Sequence, residues 1–200
     1  PCHMLKPDEI KELQLKIAEN NDSHAFSQLF MAQFHNLQKF ANSIIKNQEL
    51  AEEIVSDVFI KIWQNRANLV KIDNFKLYLY ISTKNTALNY LSRHFRKKTL
   101  SLDEISLNIP GVSINPENLM ITNEAVKKID FAIHNLPLRC RLIFKLAKED
   151  GLKYNDIAKL LNITVNTIDN QMAIALKKIS KAINFEFKKC NGFQEFKILS

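Results

Sequence analysis

Asn166, Thr167, Asp169, Asn170 and Gln171, followed by Lys177 and Lys178, are the side-chain types that read a DNA groove. Asn and Gln amides pair two-pronged with adenine, Thr meets a base edge or a thymine methyl, and Lys meets phosphate. A second set lies upstream in FKLYLYISTKNTALNYLSRHFRKK, where Phe75, Tyr78, Tyr80, Tyr90 and Phe95 alternate with Lys76, Lys84, Asn85, Asn89, Arg93, Arg96, Lys97 and Lys98. Aromatic rings stack on unpaired bases while cations follow phosphates, so this mixture suits single-stranded nucleic acid. At least half of these aromatics must instead pack in a core with Leu79, Leu88 and Leu91. The basic end is different: four cations in the six residues 93–98 repel one another unless an anion is near.

A third set is acidic. Glu49, Glu52, Glu53 and Asp57 fall within about two helical turns, with Glu53 and Asp57 on one side at i, i+4. Such a face can be solvated, hold a metal or dock on a basic protein surface, and no His stands at an offset that would complete a carboxylate metal site. Catalysis finds no support. The chain lacks a Gly-rich phosphate loop, Cys-x-x-Cys and His-x-x-x-His, and His24, His35, His94 and His134 are scattered. The expectation is a non-enzyme without metal, cofactor or small-molecule substrate.

The elements that must position these groups are helices. In YNDIAKLL, Tyr154, Ile157, Ala158 and Leu161 form one stripe at i, i+3, i+4 and i+7. Asn162 stands where the chain reverses, a position that often needs the left-handed backbone Asn tolerates. Thr164 is a good N-cap, so a second helix is predicted from Val165, with Ile168, Met172, Ala175, Leu176, Ile179 and Ile183 inward. Small Ala158 lets the two helices cross closely. The pattern is helix-turn-helix, and its polar face is either a DNA-reading surface or the solvated side of an ordinary hairpin.

Upstream, periodicity predicts a short helix over residues 8–20 and a longer one over 23–46, with Phe26, Leu29, Phe30, Phe34, Leu37, Phe40 and Ile44 inward. A third begins near Gln48 and turns Leu50, Ala51, Ile54, Val55, Val58, Phe59, Ile62 and Trp63 inward; a loop over 68–74 leads into the aromatic-basic helix.

With 200 residues, 3 Gly and 5 Pro, the chain suits two small helical domains, and its charge of +7 favours an anionic partner. No apolar run nears the roughly 20 residues of a membrane span and no secretory signal is present, so the expected location is the cytoplasm. Cys2, Cys140 and Cys190 are too scattered for a disulfide framework, and Cys140 reads as a small core residue. The expected division is residues 1–21, an expression remnant and leading helix; 22–98, the first domain; 99–118, a linker; 119–187, the second domain; and 188–200, a tail without pattern. The linker carries Pro110, Gly111 and Pro116, is acidic through Asp103 and Glu104, and has no Lys or Arg. Lying in a nucleic-acid channel is one use for it; a plain tether is the simpler reading.

Taken in order, AEEIVSDVFIKIWQNR, NFKLYLYISTKNTALNYL, an acidic linker and LPLRCRLIFKLAKEDGLKYNDIAKLLNITVNTIDNQMAIALKKI resemble the extracytoplasmic-function sigma factors of bacterial RNA polymerase. The resemblance spans residues 22–183 and rests on two unrelated motifs in the right order and separation. It implies an all-α fold of two domains, sigma regions 2 and 4. It implies a subunit that binds core RNA polymerase, selects promoters and helps melt DNA. Docking on the coiled coil of the beta-prime clamp would fall to Glu53, Asp57, Phe59 and Ile60. Minus-ten DNA, with a flipped non-template base, would be met by Asn74, Phe75, Tyr78, Lys84, Asn85 and Asn89, joined by the basic Arg93, Arg96 and Lys97. Unstacking a base costs a few kcal/mol, which a pocket offsets only once the strands part.

The helix from Val165 would read the minus-thirty-five element as duplex, through Thr164, Asn166, Thr167, Asn170 and Gln171. Relatives often carry basic residues near the positions of Asn166 and Ile174, and commonly Gly at that of Asn162. Phosphate contacts here would come from Arg139, Arg141, Lys153, Lys177 and Lys178, too few for strong salt-dependent binding by the second domain alone. The resemblance also implies an anti-sigma partner, membrane-bound in many relatives, able to hold the chain at the inner membrane. The alternative is a helix-turn-helix regulator that binds duplex DNA without polymerase. It leaves the acidic and aromatic-basic helices unexplained.

Overall fold

The computed structural model describes the backbone of residues 5–95 and 124–194, and within them the side chains of 5–93 and 129–181. Every element described is helical. The chain divides into two compact units, Pro1–Ile109 and Pro110–Ser200; the expected linker lies outside the described residues.

The first unit contains α1 (Pro7–Asn20), α2 (Ser23–Ile45), α3 (Gln48–Gln64), a 3-10 helix (Arg66–Lys71) and α4 (Phe75–Phe95). Its joints share one solution. α1 ends on Asn21 at φ 52° and α2 on Lys46 at φ 61°, left-handed positions that stop a helix and turn the chain at once. The next residue in each case caps the following helix: the Asp22 carboxylate accepts from the His24 and Ala25 N–H groups, and Asn47 Oδ1 accepts from Leu50 N–H at 3.0 Å. Helices joined this tightly must pack against their neighbours, and α2 lies against α1, α3 and α4. The core between them holds Ile17, Leu29, Leu37, Ile54, Val55, Leu79 and Tyr80. Beside it Phe30 meets Phe59 edge-on at 4.8 Å and Phe26 meets Trp63 at 4.9 Å.

The stretch 68–74, expected to be a loop, is largely 3-10 helix: Leu69 is buried, which draws the backbone into a turn under it. α1 holds that turn from outside. Gln14, buried, donates its side-chain amide to the carbonyls of Leu69 (3.0 Å) and Ile72 (3.2 Å), and Lys11 Nζ reaches those of Val70 and Ile72.

The second unit comprises α5 (Glu124–His134), α6 (Leu138–Lys148), α7 (Tyr154–Leu161) and α8 (Val165–Gln194). Ala132, Leu136, Cys140, Ala175 and Ile179 form one core cluster, with Ile133 and Phe144 against it. Cys140 is a structural residue: its Sγ–H donates to the Gln171 carbonyl, and burial pushes its thiol pKa up, away from the reactive thiolate. Gly151 at φ 67° closes α6, with Leu152 N–H returning to the Leu146 carbonyl at 2.9 Å.

The turn between α7 and α8 follows the sequence reading. Asn162 is left-handed at φ 54°, ψ 50°, Ile163 N–H returns to the Ala158 carbonyl, and Thr164 Oγ1 accepts from Thr167 N–H at 3.2 Å. Two expected core positions differ. Leu160, not Leu161, is fully buried, beside Ile157 and Ala158; Leu176 faces solvent at 50% exposure. It lies about 80° round α8 from Ile168, beyond the narrow seam of Ile168, Met172, Ala175 and Ile179. Helix α8 also continues to Gln194, past the expected domain end at 187.

Candidate nucleic-acid interface

Helix α8 presents a solvent-facing surface because its buried stripe repeats at one face only. Opposite that stripe Asn166, Asn170, Ala173, Ile174, Lys177 and Lys181 are all exposed. Thr167 and Gln171 lie on one flank, partly covered, with exposed Lys178 beside them. The first turn is held by Thr164, whose hydroxyl also pairs with that of Thr167 at 2.9 Å. That pairing gives both hydroxyls a structural duty at the end that would enter a groove.

Arg139 and Lys153 are exposed. Arg141 is not available as expected. It is 8% exposed and donates Nη1 to the His134 carbonyl at 2.6 Å, tying α6 to the end of α5. Its apolar stem lets the arginine lie in the core while one guanidinium N–H serves the carbonyl, so little of the side chain is left to meet phosphate. Lys181, one turn beyond Lys177 on the exposed face, was missed by the sequence reading; the spacing i, i+4 marks it.

In the first unit the N-terminus of α4 is built on Asn74. Its Oδ1 accepts from Leu77 N–H at 3.0 Å, and its carbonyl from Tyr78 N–H. Asn74, expected as a base-capturing group, is therefore the N-cap of α4. From that end an exposed line runs along α4 through Tyr78, Asn85, Asn89 and Arg93, at i, i+7, i+11 and i+15. Tyr78 stacks on Phe75 with ring centroids 6.2 Å apart. Phe75 itself, expected at the DNA surface, is 2% exposed: the first turn of α4 must plug the core, and Phe75 supports Tyr78 from below. Lys84 is half-buried off that line, and Arg96 and Lys97 lie outside the described residues.

The acidic face of α3 is a surface. Glu49, Glu52, Glu53 and Asp57 are exposed, and Glu52 accepts from Gln38 Nε2 at 2.6 Å. Ile60 continues the line of Glu53 and Asp57, largely exposed. Phe59 does not share it. Two positions beyond Asp57, it points about 200° round the helix into the core, 1% exposed, between Phe26 and Phe30. Its ring floors a shallow apolar groove of about 390 Å³ that Phe26, Phe30, Ile60 and Trp63 help to line. Among the described residues no group of three or more His, Cys, Asp or Glu could hold a metal ion. Nor is any described helix long and apolar enough to cross a membrane.

An all-helical chain with a helix-turn-helix in one unit and an acidic helix beside an aromatic-basic one in the other has the make-up of a transcription-initiation protein. The family models for Sigma-70 region 2 and Sigma-70, region 4 match residues 30–97 and 127–179. The chain belongs to the extracytoplasmic-function (ECF) sigma factor family, whose members are not enzymes. It is 26% identical over 173 residues to the ECF RNA polymerase sigma-E factor of Escherichia coli K12, covering 82% of this chain and 90% of that one. The sigma-E factor of Haemophilus influenzae is 25% identical over the same coverage.

Two solved structures share the fold. The sigma factor RpoE of Bartonella quintana, in complex with the anti-sigma factor NepR, aligns with a TM-score of 0.53 at 21% identity over 80% of this chain and 96% of that chain. CnrH, in complex with the cytosolic domain of CnrY, aligns at 0.50 and 17% identity, over 88% and 98%.

Proposed function

We propose that this chain directs core RNA polymerase to promoters, reading duplex with one unit and separated strand with the other. The observation that carries the reading is the α8 face. Amides, cations, Ala173 and Ile174 occupy its outward side, the exposed Asp169 stands at the edge of that side, and a capped N-terminus leads it. That is the arrangement a major groove requires. Asn166, Asn170 and Gln171 are the base readers, with Thr164 and Thr167 at the leading end. Lys177, Lys178, Lys181, Arg139 and Lys153 serve phosphate.

In the first unit Tyr78, Asn85, Asn89 and Arg93 offer a ring, amides and a cation along one line of α4, suited to the unpaired minus-ten strand. Asn74 fixes the start of that line, Phe75 supports Tyr78, and Lys84, Arg96 and Lys97 add positive charge. The α3 surface of Glu53, Asp57 and Ile60 docks on the beta-prime clamp coiled coil, with Phe59 holding its shape from within. Work in the cytoplasm and control by an anti-sigma protein complete the reading. The two complexes named above support that partner by likeness of fold, and tethering at the inner membrane would follow if the anti-sigma protein spans it.

Run-off transcription by purified core enzyme, with and without this chain, tests the reading. Promoter-dependent transcripts only with the chain present are expected. A chain that binds duplex DNA but neither binds core nor starts transcripts would be a helix-turn-helix regulator.

A further inference from the structure

Within the α8 reading face one side chain does not fit a solvated or phosphate-binding surface. Ile174 is 41% exposed, one helical turn beyond Asn170 and three residues before Lys177, both exposed. It takes no part in the seam of Ile168, Met172, Ala175 and Ile179, from which it lies about 120° round the helix. Next to it on the same side Ala173 is exposed and small, so the helix backbone can approach a groove closely there. Single exposed apolar residues are common on protein surfaces. Here, however, the neighbours on both sides are the groups that would bring Ile174 against base edges. In the major groove the one apolar group on any base edge is the C5-methyl of thymine.

We infer that Ile174 is a specificity-determining residue that packs on a thymine methyl in the upstream promoter element. This rests on the reading of α8 as the duplex-binding helix. Asn170 and Ile174 are four residues apart, about 6 Å along the helix, and base pairs rise by about 3.4 Å. The thymine therefore stands within about two base pairs of the adenine read by Asn170. Such a pair of contacts selects for adenine and thymine at adjacent positions without a guanidinium. It also leaves the face with no arginine to prefer guanine.

The experiment starts from a randomised duplex pool selected with holoenzyme reconstituted from the full chain and core polymerase. Each thymine of the selected upstream element is then replaced by deoxyuridine, which removes only the methyl. One replacement is expected to weaken binding about fourfold, the equivalent of one buried methyl group, and to have no effect on holoenzyme carrying Ile174→Ala. Repeating the selection with Ile174→Arg should move the preference at that position from thymine to guanine. A deoxyuridine penalty that persists undiminished with Ile174→Ala, or no penalty at any thymine, overturns the assignment of Ile174. Enrichment of no upstream sequence at all would overturn the α8 reading itself, and the two failures are distinguishable. Thermal melting of each variant verifies that the exposed substitutions leave the fold intact.

Discussion

Gln14 on α1 donates its side-chain amide to the carbonyl of Leu69, 55 residues away, at 3.0 Å, and to that of Ile72 at 3.2 Å. The leading helix thus fixes the backbone just before Asn74 and α4, the region proposed to meet melted DNA. Gln14→Ala removes the donor to the buried Leu69 carbonyl and one of the two donors to that of Ile72, which Lys11 also reaches. A loss of about 1–3 kcal/mol in unfolding free energy is expected from denaturant titration. Unchanged stability would show that the turn holds itself.

Asn74 carries two duties that substitution can separate. Asn74→Ala removes the cap of α4 and should cost about 1 kcal/mol. Asn74→Asp keeps an acceptor for the Leu77 N–H, so stability should be retained, while its carboxylate repels the strand and impairs promoter opening. Permanganate footprinting on duplex and on pre-melted promoters reads this out. If Asn74→Asp opens promoters as the unaltered chain does, Asn74 is a cap alone.

On α3 the surface and the core make opposite predictions. Asp57→Ala with Ile60→Ala should weaken binding to core polymerase and leave the melting temperature nearly unchanged, because both side chains are exposed. Phe59→Ala should instead cost about 3–5 kcal/mol of stability by opening a cavity among Phe26, Phe30 and Phe59. Calorimetry and a core-binding assay on the same variants decide. A stable Phe59→Ala chain with weakened core binding would return Phe59 to the docking surface.

Acid should act on the α1–α2 joint. The Ala25 N–H hydrogen bond to Asp22, with a smaller contribution from that of His24, holds its carboxyl below the ordinary value of 3.8. A depressed folded pKa means the contribution is present above the unfolded value and is lost as pH falls through the folded one. Stability should therefore decline below about pH 4. Asp22→Asn, which keeps an acceptor but not the charge, should flatten that part of the profile, measured by urea unfolding across pH. An unaltered decline would place the acid sensitivity elsewhere.

The helix-turn-helix was legible because three independent local signals agree. A buried stripe at helical spacing, an Asn able to take φ 54° and a Thr with a reachable N–H fall within a dozen residues. The docking and DNA-facing residues were less so. Periodicity alone already turned Phe59 inward, where it lies, and only the resemblance set it on the docking surface; Phe75, at the first turn of α4, is an aromatic whose side depends on where the core stripe is centred. Arg141 looks cationic in sequence, yet only the approach of the His134 carbonyl decides that its head is used internally. The Gln14 contacts to Leu69 and Ile72 join segments 55 and 58 residues apart, which no local pattern can announce. Ile174 stood out in sequence only as a departure from relatives. Its exposure beside Asn170 gave that departure a use.

The most direct measurement is initiation itself. Core RNA polymerase supplemented with this chain should produce defined run-off transcripts from promoter-bearing templates. Asn170→Ala should reduce output only at promoters that need the upstream element. Well-folded chain that binds core but supports no transcript from any template, or whose transcripts ignore changes in both promoter elements, would contradict the division of labour between α4 and α8.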